Sequence, residues 1–147
     1  MGLDLFVKRK IMLGSECNIS VIKDNQDITN IINLSDRYNS IDSTISIMNN
    51  CHAMTRYIID NYEDDSVNVE VCIDIIKDML KFVTNGLKEN LIDYCDEEGI
   101  STYGYDMERL KYEFELFKKL FERIIEEDKP IRTLLGDVVY YKFEISY

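Results

Sequence analysis

The chain has 147 residues, 46% of them hydrophobic, with 28 acids against 17 lysines and arginines for a net charge of −11. This length and apolar content suit one domain, residues 1–147, with a packed core, and exclude a disordered chain. The charge disfavours direct DNA or RNA binding, which begins with neutralised phosphates, and suits a partner whose surface is basic.

In chain order, Met1 to Leu13 reads as a strand. Leu3, Leu5 and Val7 alternate with Asp4, Phe6 and Lys8, and only Phe6 breaks the period of two. Lys8, Arg9 and Lys10 follow the first apolar residues rather than precede them, so no secretory leader is expected. No apolar run reaches the length of a bilayer span, and the cytoplasm is the expected home. Gly14 and Ser15 make a turn. Asn18 to Lys23 reads as a second strand, and Asp24 to Asp27 as another turn. Ile28 to Leu34 suits either a strand or one helical turn, and Asp36 to Ser40 is polar loop.

A first long helix is expected from about Asp42 to Asn61, with Ile45, Met48, His52 and Ile59 near helical spacing. Tyr62 to Asp65 is an acidic connector. A second helix covers roughly Glu70 to Leu87 on the stripe Ile73, Ile76, Leu80 and Val83, and Asn85-Gly86 kinks or ends it. Leu87 to Tyr94 is expected to continue as helix, with loop from Asp96 to Gly104.

Tyr105 to Asp128 carries the strongest pattern in the chain. Leu110, Phe114, Phe117, Phe121 and Ile124 recur at steps of four and three, widened by Met107, Leu116, Leu120 and Ile125. Asp106 stands where an N-cap carboxylate belongs. Glu113 and the other charged residues of the stretch read as its solvated face, and Pro130 as its stop. Val138 to Tyr147 alternates as a closing strand that returns to the N-terminal strands. The expected fold is α+β: a small, mainly antiparallel sheet with three helices packed on it.

Chemical signals are sparse. Cys17, Cys51, Cys72 and Cys95 are far apart with no C-x-x-C, which points to free thiols. Cys51 and His52 are the one candidate pair for zinc. Adjacent helical residues diverge by about 100°, so such a site needs further ligands converging from elsewhere. No other cofactor is expected, and no catalytic group is nominated. Gly99 to Gly104 lacks a phosphate loop's lysine and preceding strand, and reads as a turn before a helix.

The acids are unevenly distributed. From Asp60 to Glu98 there are twelve acids against three lysines. Asp60, Glu63, Asp64, Asp65, Asp93, Asp96, Glu97 and Glu98 are therefore the candidate partner-binding residues. The clusters lack the alternation and central glycine of a calcium loop.

Four separated segments together resemble a known family. These are the opening Met1-Gly2-Leu3-Asp4-Leu5-Phe6, the stretch Ile47 to Ile58, Gly99 with Tyr105-Asp106, and the ending Ile145-Ser146-Tyr147. The chain resembles small phage and prophage proteins of unknown function that open M-G-L-D, carry a basic aromatic helix, then a glycine loop leading to Y-D and a long helix, and end near Y-x-S-S-W. It departs from them where Asn49 and Asn50 replace the basic pair, Thr55 the histidine, and Met48 and Tyr57 the tryptophans. The resemblance implies the fold and a phage origin, hence the cytoplasm of a host bacterium. Acidic phage proteins of this size are similar to anti-CRISPR and other anti-defence inhibitors, an analogy of class. It implies a non-enzymatic inhibitor that covers the basic nucleic-acid surface of a CRISPR effector nuclease, with neither nucleic acid nor membrane as partner. The alternatives are a zinc-binding accessory protein and a phage housekeeping interaction module.

Overall fold

A computed structural model describes residues 3–12, 19–32, 40–62 and 68–146. The N-terminal alternation forms β1 (Asp4–Met12), which buries Leu5, Val7, Arg9 and Ile11 on one face. The C-terminal alternation forms β4 (Val139–Ser146), which buries Val139, Tyr141, Phe143 and Ile145 on the same face. The two strands pair antiparallel, with Leu5 opposite Ile145 and Val7 opposite Phe143. The last strand therefore does return to the first.

The second strand of the sheet is not where the alternation near residue 20 places it. Ile19–Lys23 is a short helix, α1, followed by α2 (Gln26–Thr29), whose N-cap Asn25 accepts the Ile28 N–H. Ile22 and Ile28 are buried from these turns. The β-branched content of α1 is overridden because the place beside β1 is taken by β2 (Ser40–Asn49). Between β1 and β2 the register steps from Val7–Ser46 to Lys8–Thr44, a bulge that leaves Ile45 without a partner. Arg123 donates to the Ile45 carbonyl at 3.3 Å.

The single helix expected from Asp42 to Asn61 is thus two elements. β2 ends at Asn49, Asn50 adopts a left-handed φ of 57°, and α3 (His52–Tyr62) starts two residues later. Asparagine tolerates that conformation better than most residues. A short strand, β3 (Asn68–Val71), occupies the expected start of the second helix and pairs with β4. The sheet order is β2-β1-β4-β3, all antiparallel.

Next come α4 (Ile73–Leu87) and α5 (Leu91–Glu97). Gly86 falls inside α4, where a Cβ would lie 2.8 Å from Phe114 Cε2 and 2.9 Å from the Tyr94 ring. The helix ends one residue later, and Asn90 recaps the chain by accepting the Asp93 N–H. The expected continuous helix from Leu87 is therefore interrupted before α5.

The dominant stripe forms α6 (Met107–Leu135), with Asp106 accepting the Arg109 N–H at 2.7 Å. Phe114, Phe117, Phe121 and Ile124 are fully buried. Pro130 does not stop this helix. Its missing N–H would have met the Glu126 carbonyl, and both residues are exposed, so water replaces the lost bond. The helix ends at Gly136, whose φ of 80° suits glycine and whose N–H reaches the Arg132 carbonyl.

The fold is α+β, with a four-stranded sheet whose inner face packs against helices. Among the described residues three of these helices are long, and α1, α2 and α5 are short additions to the expected three. No helix among the described residues is long and apolar enough to cross a membrane.

A polar chain ties α6 to the sheet. Arg9, 1% exposed, donates to Glu127 at 3.0 Å and lies over the Tyr141 ring. The Tyr141 hydroxyl donates to Asp128, which also receives two bonds from Arg132. Burial holds the Tyr141 phenol above its ordinary range. Most of these groups pair with one another, which makes charge at the helix–sheet interface tolerable, although the buried Arg9 Nε has no partner among the described residues.

Candidate functional site

The acidic candidates separate into two groups. Glu63, Asp64 and Asp65 lie outside the described residues. Asp60 is exposed near the end of α3; Asp93, Asp96 and Glu97 are exposed on α5; and Glu98 is its exposed C-cap.

An aromatic cluster holds these two elements in place. Tyr57 of α3 lies against Phe82 of α4, ring centroids 3.7 Å apart, and Phe82 lies 5.1 Å from Tyr94 of α5. The Tyr94 hydroxyl donates to the Phe82 carbonyl at 2.9 Å. Burial pushes the Tyr94 phenol up to about 12, and the negative charges of Glu98 and Glu89 add to the shift. Burial also raises Tyr57, with Glu98 among the smaller contributors. Glu98 thus bears on tyrosines from two helices, and the exposed acids of α5 lie on the helix that contributes Tyr94 to the aromatic cluster.

The loop after α5 adds an exposed tyrosine that sequence reading did not single out. Ile100 is buried and its N–H reaches the Cys95 carbonyl at 2.8 Å. Tyr105 closes the other end, its N–H bonded to the Thr102 carbonyl. Between these anchors Tyr103 is 96% exposed. Its ring thus offers a large amphipathic surface to solvent. The available signal was its position between Thr102 and Gly104, a glycine with φ of 82° that brings the chain round.

Cys51 and His52 part company. Cys51 is buried, its thiol donates to the Asn49 carbonyl, and burial pushes it up to about 12, with Glu113 reinforcing the shift. His52 is exposed at the start of α3. No group of three or more His, Cys, Asp or Glu side chains among the described residues is placed to hold a metal ion. The zinc expectation therefore finds no ligand set there. Cys95 is also buried, Cys72 is exposed, and both thiols are free like that of Cys51; Cys17 lies outside the described residues.

Glu113 is the second departure. It is fully buried rather than solvated. Its carboxylate accepts the Met54 N–H at 2.8 Å and the Tyr105 hydroxyl, while that hydroxyl accepts the Ala53 N–H at 3.1 Å. Arg109 binds the Asn50 carbonyl at the same corner. Side chains on or beside α6 thus cap the start of α3. This polar centre is enclosed and structural, whereas the acid-and-tyrosine surface is open.

Compared with family models, with curated proteins and with solved structures, the chain finds no match.

Proposed function

We propose that the protein is a non-enzymatic binding module that presents Asp93, Asp96, Glu97, Glu98 and Tyr103 to a basic surface on another protein. The observation that carries this reading is Tyr103. It stands 96% exposed in a loop pinned by Ile100 and Tyr105, five residues beyond Glu98. A tyrosine with only two side-chain torsions supplies contact area at modest entropic cost, and acids around it steer a cationic partner and fix its register. Arginines in the partner can pair with the carboxylates and stack on the ring.

Basic surfaces of this kind are the nucleic-acid channels of nucleases. The sequence resemblance directs the proposal to a CRISPR effector nuclease of a bacterial host, blocked by occupation of that channel. Expression of the protein in a CRISPR-protected bacterium should restore plaque formation by a targeted phage, and should leave plaques unchanged on a host without CRISPR. Equal plaque counts on the protected host with and without the protein would reject this target. Loss of the effect in Tyr103→Ala would link it to the exposed ring.

A further inference from the structure

We propose that a cleft between α4 and α6 binds a small organic anion, with one carboxylate or phosphate group on a short apolar body. The cleft encloses about 400 Å³ and is lined by Ile73 and Lys77 from α4 and by Ile125, Asp128, Lys129 and Arg132 from α6. That volume is within the usual range for small-molecule sites, about 300–1,000 Å³.

The charge balance inside it runs against the rest of the molecule. In a chain of net charge −11, this hollow has three cations and one carboxylate. The carboxylate is already engaged, because Asp128 receives both Arg132 bonds and the Tyr141 hydroxyl. Arg132 is engaged as well, by Asp128, by Asp137 and by the Val139 carbonyl. Lys77 and Lys129 remain. Among the described residues neither lies within ion-pair distance of a carboxylate. An anion in the hollow would be attracted by both unpaired ammonium groups. The isoleucines give such an anion an apolar floor, and the immobilised Arg132–Asp128 pair gives it a fixed wall.

A second hollow of about 430 Å³ shares Ile73, Lys77 and Arg132 and extends toward Val139 and Tyr140. Asp74 and Asp137 line it too, so its charges balance. The anionic head therefore belongs between Lys77 and Lys129. This site is separate from the tyrosine surface and opposite to it in sign.

The test is an amide NMR titration of the whole protein with octanoate, beside octanol, octyltrimethylammonium and acetate. Octanoate should shift the amides of Ile73, Lys77, Lys129 and Thr133 saturably, with the other three binding at least about tenfold more weakly. The double variant K77Q/K129Q should lose about tenfold or more in octanoate affinity. Its melting temperature should not change, since both lysines are exposed. Equal binding of octyltrimethylammonium, undiminished affinity in the variant, or no shift at these amides would each overturn the proposal. Vesicles of phosphatidylglycerol separate a free anion from a membrane headgroup: lysine-dependent vesicle binding without any octanoate shift would also overturn it.

Discussion

Glu113 of α6 accepts the backbone N–H of Met54 at the start of α3, 59 positions away in sequence, at 2.8 Å and with no exposure to water. The contact fixes the entry of α3 against the helix that forms the core. Glu113→Ala should leave that N–H and the Tyr105 hydroxyl unpaired inside the protein. Each such group costs about 1–3 kcal/mol, so the variant should lose about 3 kcal/mol in urea denaturation. A loss below about 1 kcal/mol would show that water reaches this corner after all.

The same carboxyl predicts a pH signature. Burial raises its pKa above the ordinary carboxylate value, against the lowering effect of the Tyr105 and Met54 hydrogen bonds. A raised folded value means that the native state binds the proton more tightly than the unfolded chain. Its contribution to stability is thus fully present below the ordinary value and is lost as pH rises through the folded one. The stability of the wild type relative to Glu113→Gln should therefore decline from acid toward neutral pH. Parallel melts of the two proteins between about pH 4 and 8 measure it, a range that spans the ordinary carboxylate value of about 4.3. A difference that stays flat or rises would contradict the assignment.

Gly86→Ala should destabilise the protein although alanine is the better helix former. Its methyl group would sit 2.8 Å from Phe114 and 2.9 Å from Tyr94, both packed rings. Overpacking of this kind costs about 1–3 kcal/mol, more than the roughly 1 kcal/mol that helix propensity returns. A melting temperature at or above that of the wild type would show that the rings move aside freely.

Pro130→Ala should act in the other direction. The proline is exposed inside α6, five residues before its end, and satisfies no partner of its own. Alanine restores the bond to the Glu126 carbonyl and relieves the ring's clash. A gain of about 1–3 kcal/mol is expected, within the cost assigned to an interior proline. Destabilisation would mean that the backbone shape at Pro130 is needed to place the Asp128–Arg132 pair.

These outcomes bear on how much of the fold its sequence displayed. β1, β4 and α6 were legible because each buries one continuous periodic face. Ser40 to Met54 was not, because the isoleucines of a strand and the start of a helix fall by chance near one helical spacing. The true break is a single left-handed Asn50. Pro130 misled because a helix-interior proline is tolerated where the orphaned carbonyl meets water. Glu113 was assigned to solvent by residue type, although its place three after Leu110 and four before Phe117 puts it on the buried stripe. The acids of α5 were legible as charge, but nothing in the sequence marked out Tyr103. Ten tyrosines occur in the chain, and only the anchored loop singles out this one.

The most direct measurement of the proposed function is the affinity of purified CRISPR effector nucleases for the wild type, for Tyr103→Ala and for the triple variant Asp96→Lys, Glu97→Lys, Glu98→Lys. The three acids lie at the exposed C-terminal end of α5, where lysine suits the helix dipole, so the variant should stay folded by circular dichroism. The account predicts wild-type binding that competes with nucleic acid and weakens between about 50 and 200 mM salt, as the Debye length falls from about 14 to 7 Å. It also predicts loss of that binding in the triple variant and a fall of about tenfold or more in Tyr103→Ala, the range of an interface anchor. Wild-type affinity retained by both folded variants would contradict it.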